Sequence, residues 1–328
     1  MKYYVISISN YGIISNYMLE DLKKLQNVEF LYETYIKATS SNRYIRKIDS
    51  IIKNFYYKLI YKKKMINKII KDNTCSNKEK TVLFTNEALQ KIELANLEQL
   101  RNAGIKVVML LIDPMSANYP SVSVAKSLME QFKFDEIITF DPMDAKEYGF
   151  KYQNTLYSTF KFDTKASNEK DLFYLGCVKD RFDMMLNLKN MIKDNQVNVD
   201  VKLLGLNQNQ INQIGEEYSM NTYLPYDEML RRMQSSKCIL DITQKGQSGV
   251  TLRYYEAIVY NKKLLTNNEN IKKLPFYDER YMKFYTNLGD IDWDWVKNDD
   301  MPNYKYNNEY SPIHIIETLE VNDEKEIS

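Results

Sequence analysis

The chain has 328 residues, of which 44% are apolar, enough for two cores of roughly 150 residues each. A formal net charge of +1 argues against a general polyanion binder. A single histidine, His314, excludes a multi-histidine metal site, and three scattered cysteines (Cys75, Cys177, Cys238) give no metal-ligand spacing and fit a reducing compartment. The near-zero balance hides an asymmetry: Arg43–Asp72 is strongly basic and Asp290–Ser328 strongly acidic. The opening MKYYVISISNYG lacks the apolar core of a signal peptide, and no apolar run reaches the roughly 18 residues of a membrane span. The expectation is a cytoplasmic protein.

In chain order, Tyr3–Ser9 is an apolar run followed by Asn10-Tyr11-Gly12 and a helical pattern through Leu25, which predicts strand, turn and helix. Val28–Tyr35 is the next expected strand. Ser40–Lys71 contains neither Pro nor Gly and predicts a long basic helix, broken at most once. Thr81–Thr85 is a short buried strand, Leu94–Ala103 a helix closed by Gly104, and Lys106–Ile112 a buried strand ending at Asp113-Pro114. Ile137–Phe140 is another strand, ending at Asp141-Pro142. Continuous apolar strands alternating with helices predict an α/β fold with a parallel sheet covered on both faces.

The polar, aperiodic stretch Thr159–Asp171 is the expected linker. The pattern then restarts: strands at Leu172–Leu175, Val199–Leu204, Cys238–Ile242 and Lys263–Thr266, helices at Phe182–Lys193, Tyr226–Ser235 and Leu252–Tyr260. The expected division is 1–165, 166–310, and a final helix and tail, 311–328, packing back on the first domain. Ligands of such open sheets collect at the carboxyl ends of the strands.

The segment richest in chemistry is Ile239–Asn268, ILDITQKGQSGVTLRYYEAIVYNKKLLTNN. Gly246 and Gly249 permit close backbone approach. The helix starting near Thr251 offers free N–H groups to an anion, and Glu256 offers a carboxylate to vicinal hydroxyls. Leu252, Tyr255 and Val259 are the expected buried stripe. A molecule with a phosphate end and a sugar end suits such an edge. The ordinary alternative is a loop with an Arg253–Glu256 surface pair, worth a few tenths of a kcal/mol.

This segment resembles the donor-binding region of GT-B glycosyltransferases, particularly bacterial enzymes of capsule, lipopolysaccharide and spore-coat polysaccharide synthesis. The resemblance extends to Leu172–Gly176 with Asp180-Arg181, and to Tyr223–Leu230, and covers about residues 170–270. It implies two Rossmann-like domains with parallel sheets facing a central cleft, and a UDP- or GDP-linked sugar as co-substrate, with no cofactor required. It also implies a glycan or lipid-linked acceptor on the first domain. By position, Glu256 corresponds to a ribose ligand. Gly249, Thr251 and Arg253 surround the diphosphate with Gln247 and Ser248 in the same loop, while Gly176 and Arg181 belong to the first loop and Tyr223 and Tyr226 lie near the base. Many such enzymes carry a second glutamate eight residues before the first-named one; Ser248 stands there. A nucleotide-sugar epimerase of the same fold and a non-catalytic polysaccharide-assembly protein are the alternatives.

Two further groups complete the reading. Of the strand-end polar residues of the first domain (Asn10, Tyr11, Asn86, Glu87 and Asp113), Asp113 and Glu87 are the best-placed candidate general bases, although Asp-Pro turns and helix caps account for most such residues, Asp141 included. Arg43–Lys71, with Lys62-Lys63-Lys64 beside Phe55, Tyr56, Tyr57 and Tyr61, suits the anionic inner face of the plasma membrane or, more plainly, a solvated helix face. No recognition-helix or zinc pattern supports nucleic-acid binding. Asp290-Ile291-Asp292 is read as a surface turn and not a metal site, so no metal is assigned.

Overall fold

The computed structural model describes residues 1–9, 17–34, 62–154, 157–160, 170–243 and 250–327. The chain divides into two compact α/β units: unit 1 is Met1–Ser158 with Tyr310–Ser328, and unit 2 is Thr159–Glu309.

Unit 1 is built on β1 (Lys2–Ser9), β2 (Val28–Thr34), β3 (Lys80–Thr85), β4 (Lys106–Leu111), β5 (Glu136–Thr139) and β6 (Lys151–Tyr152). All pair in parallel, in the order β2-β1-β3-β4-β5-β6. β3 is buried at every position, as its unbroken TVLFT run requires of a strand covered on both faces. The covering helices are α1 (Lys62–Lys71), α2 (Asn86–Leu89), α3 (Leu94–Asn102), α4 (Pro120–Gln131) and α5 (Pro142–Tyr148). α1 sends Met65, Ile66 and Ile69 into the core and leaves Lys63, Lys64 and Lys71 in solvent; the basic residues 43–61 lie outside the described residues. Asp141 caps α5 by accepting from the backbone N–H groups of Met143 (2.7 Å) and Asp144 (3.2 Å), so that Asp-Pro pair is a helix start.

Unit 2 carries β7 (Lys170–Cys177), β8 (Val199–Leu204), β9 (Ser219–Met220), β10 (Ser236–Asp241), β11 (Lys263–Thr266) and β12 (Met282–Phe284), again all parallel, in the order β12-β11-β10-β7-β8-β9. Numbered within the unit, this is the Rossmann order 3-2-1-4-5-6 read from the other edge. The helices are α6 (Phe182–Asp194), α7 (Gln208–Ile214), α8 (Tyr226–Gln234), α9 (Leu252–Val259) and α10 (Trp293–Lys297). The chain then returns to unit 1 as α11 (Ile313–Ile327). There Ser311 Oγ donates to Asp21 Oδ2 (3.0 Å), and Tyr157 N donates to Tyr310 O (2.7 Å). Among the described residues no helix is long and apolar enough to cross a membrane.

Both units bury a lysine at the start of a strand, against the usual placement of that residue. Lys80, opening β3, donates to the carbonyls of Ile69 (2.9 Å) and Asp72 (2.5 Å) and to Asn77 Oδ1 (2.7 Å), closing the C-terminus of α1. Lys263, opening β11, donates to the carbonyls of Trp295 (2.6 Å), Val296 (3.1 Å) and Asn298 (2.8 Å), closing the C-terminus of α10. Each ammonium satisfies carbonyls that a helix end leaves unpaired. Lys262, next in line, is also buried and donates to Gln234 O (2.6 Å); burial pulls its pKa down to about 8.

Candidate functional site

In unit 2 the strand order reverses between β7 and β10, and the carboxyl ends of these strands are where an open sheet of this order receives a ligand. β7 ends at Leu175-Gly176-Cys177. A Cβ added to Gly176 would lie 2.7 Å from Tyr174 Oη, so the glycine lets the tyrosine fold back over its own strand. Arg181 ties the two strand ends together: Nη1 donates to Ile242 O (2.5 Å) and Nη2 to Cys177 O (2.5 Å). Its Nε is buried without a hydrogen-bond partner. With both terminal nitrogens occupied by backbone, Arg181 acts as a clip across the switch point.

β10 ends at Asp241, a buried carboxylate on which two threonines converge. Thr251 Oγ1 donates to Oδ1 (2.8 Å) and Thr266 Oγ1 to Oδ2 (2.8 Å). Burial raises the Asp241 pKa, opposed by those two hydrogen bonds. Thr251 is also the N-cap of α9, accepting from Arg253 N (3.1 Å). One side chain therefore joins the strand end to the helix start. Thr243, just past β10, donates from its N–H (2.8 Å) and hydroxyl (3.0 Å) to Asn267 Oδ1. Gln247, Ser248 and Gly249 lie outside the described residues.

Within α9 the expected stripe of Leu252, Tyr255 and Val259 is corrected. Tyr254, Ala257, Ile258 and Val259 are buried, whereas Leu252 and Tyr255 are half-buried. The helix covers β10 and β11 with a face rotated from the one that apolar spacing suggested. That rotation takes Glu256 inside, where it is 0% exposed. Its Oε1 accepts from Tyr226 Oη of α8 at 2.7 Å, and its Oε2 pairs with Arg253 Nη1. Arg253 also approaches Met229 Sδ (3.1 Å) and Leu175 O (3.5 Å) and lies 5.7 Å from the Phe173 ring centroid. The pair therefore joins a half-buried guanidinium to a fully buried carboxylate, anchored at several points, and is not the exposed i,i+3 pair that spacing alone allows. Tyr226 turns its hydroxyl inward to this pair. Tyr223 remains 77% exposed, its Oη 3.5 Å from Cys177 Sγ.

The unit 1 candidates sit at the carboxyl ends of β3 and β4. Asp113 is half-buried, and its Oδ2 accepts from Asn86 Nδ2 (3.0 Å) and Ser121 Oγ (3.1 Å). Asn86 Oδ1 in turn accepts from Ile112 N (2.9 Å), so one amide holds both strand ends. Glu87 is half-buried in the first turn of α2. Among the described residues of unit 1, the carboxylate whose pKa burial raises is Asp144, which accepts from Met115 N (2.8 Å) within the fold. Asn10 and Tyr11 lie outside the described residues. His314 is on α11, 2.7 Å from Glu317, and Asp290 and Asp292 serve as turn and helix caps.

Sequence reasoning missed Asp241, Thr266, Ser121 and Asn267. Asp241 had a detectable signal, an ionisable residue closing an apolar strand beside a strand-order reversal. Ser121 and Asn267 had none, because their partners come from other elements.

No family model matches the chain, and no curated protein matches its sequence. Among solved structures it is similar to the apo structure of OtsA, at 9% identity and a TM-score of 0.49, over 90% of this chain and 89% of that one. It is also similar to a glycotransferase of kitacinnamycin, at 9% identity and a TM-score of 0.42, over 90% of this chain and 88% of that one. A third is LpCGTa in complex with UDP, at 8% identity and a TM-score of 0.40, over 93% of this chain and 88% of that one. Likeness at this level carries no assignment of activity, which rests on the residues themselves.

Proposed function

We propose that this chain is a glycosyltransferase of the GT-B type that takes a UDP- or GDP-linked sugar at the carboxyl edge of unit 2. One observation carries the reading. A glycine strand end, a threonine-capped helix start and a guanidinium meet at the single point where the strand order of unit 2 reverses. Helix N–H groups and Arg253 suit a diphosphate, both as bound substrate and as a leaving group whose charge grows during the reaction. In the proposed step an acceptor hydroxyl oxygen bonds to the anomeric carbon while the bond from that carbon to the phosphate oxygen breaks. The diphosphate keeps the electron pair, and the hydroxyl proton passes to a carboxylate, for which Asp113 is the candidate.

Glu256 enters in two ways. It fixes Arg253, and it meets ribose hydroxyls when a hydroxyl exchanges for the Tyr226 bond. The acceptor proposed for unit 1 is a glycan, lipid-linked in cell-surface polysaccharide synthesis. The basic segment 43–71 is proposed to rest on an anionic leaflet, which flotation with phosphatidylserine vesicles against neutral vesicles tests directly.

The central test is calorimetric titration with UDP, GDP and uridine. UDP or GDP is expected to bind, and Arg253→Lys to weaken the diphosphate about tenfold, the scale of one lost bidentate contact, with uridine unaffected. Equal weakening of uridine, or no nucleotide binding at all, rejects the reading.

A further inference from the structure

The outer strand of unit 2 borders a cavity that the nucleotide reading leaves unused. It has a volume of about 500 Å³ and lies along β12, with β11 and β10 between it and the switch point. It is open to solvent, and half-buried Tyr277 and Phe284 and buried Trp295 are among the residues that line it. Trp295 Nε1 donates to Arg280 O (2.8 Å), fastening the loop before β12 to α10.

Three cations stand among the rings, and each has a carboxylate partner. Lys272 Nζ lies 3.1 Å from Glu269, Arg280 Nη2 2.6 Å from Asp278, and Lys283 Nζ 2.7 Å from Asp292. Lys272 also sits 4.9 Å from the Phe284 ring centroid, and Lys283 5.1 Å from that of Trp295. This pairing decides the ligand chemistry. A bare cationic cluster draws phosphate or a polyanion, but here each cation is offset by a carboxylate beside it, and Glu279 adds a negative charge to the lining. A purely apolar ligand would strip water from the four charged residues that line it, Lys272, Glu279, Arg280 and Lys283, and return no hydrogen bond. A sugar satisfies both demands. Its C–H face rests on an aromatic ring, while its hydroxyls donate to carboxylates and accept from ammonium and guanidinium groups. The volume falls within the roughly 300–1,000 Å³ of small-molecule sites, room for a short oligosaccharide.

We propose that this cavity is a binding site for an uncharged oligosaccharide, separate from the carboxyl-edge site. It would hold a stretch of glycan against the outer edge of unit 2. The proposal stands independently of the nucleotide reading.

The only tryptophans of the chain, Trp293 and Trp295, both lie in α10, so intrinsic emission reports on this cavity. The full chain is titrated with maltohexaose, cellohexaose and xylohexaose, and with polyphosphate as the anionic comparator. At least one neutral hexasaccharide is expected to shift the emission saturably. Arg280→Ala, at a side chain 72% exposed, and Tyr277→Ala are each expected to weaken that sugar about tenfold, the loss of one charge-assisted bond or one stacked face, with UDP titration unchanged. Silence from all three sugars, tighter binding of polyphosphate, or full sugar affinity in both variants overturns the proposal. A UDP result that fails while the sugar result holds rejects the nucleotide reading alone.

Discussion

The carboxyl edges of the two sheets use the same residue types differently. In unit 2, Arg253, Glu256 and Asp241 are drawn into the fold, each side chain held by at least one neighbour from another part of the unit. In unit 1, Asp113 stays half-exposed, held by two neutral donors on a single oxygen. Burial makes an ionic group costly to disturb and useful as a frame; partial exposure leaves it within reach of a bound molecule. The contrast matches the proposal that unit 2 frames the bound nucleotide and that Asp113 of unit 1 takes the proton.

The largest expected effect falls on unit 1. Asp113→Asn keeps shape and hydrogen-bonding capacity but cannot take a proton, and glycosyl transfer is expected to fall about 10²–10⁴-fold with an unchanged melting temperature. An active Asp113→Asn variant breaks the contrast. Glu256→Ala inverts the pattern. Leaving half-buried Arg253 without its carboxylate is expected to cost about 1–3 kcal/mol of stability in urea unfolding. A loss below about 1 kcal/mol, the scale of an exposed pair, would make the pair a surface feature after all.

Lys262 extends the comparison to pH. Its folded pKa of about 8 lies below the ordinary 10.5, so between those values the unfolded chain binds more protons and stability rises with pH. The gain is about 3 kcal/mol across that window. Lys262→Met should remove this rise from the difference between wild-type and variant unfolding curves; a parallel pH profile in the two proteins rejects it. The smallest effect is Tyr226→Phe, which frees one Glu256 oxygen. UDP is expected to tighten about threefold, under 1 kcal/mol, as ribose no longer competes with the phenol. Weaker UDP binding rejects the exchange.

The sequence disclosed the strands that are long and fully covered. TVLFT and KVVMLL have no polar break, and only a doubly covered parallel strand tolerates that. β6, β9 and β12 are two or three residues long, too short for any period, and α7 carries few apolar positions. At the site, the strand end at Gly176 and the helix start at Thr251 were readable because each is local to one element. The inward turn of Glu256 was not, because it depends on Tyr226 thirty positions earlier on another helix. The same applies to Arg181, whose clip needs the ends of two strands brought together.

The lysines that open β3 and β11 make each unit its own clock. Lys80 and Lys263 are sealed at the amino ends of their sheets, so an amine-reactive reagent reaches them only when the surrounding unit opens. Mass mapping of the two modified peptides over time would give two opening rates from one sample. Equal rates would mean that the halves of the chain melt as one, and unequal rates would show which half lets go first.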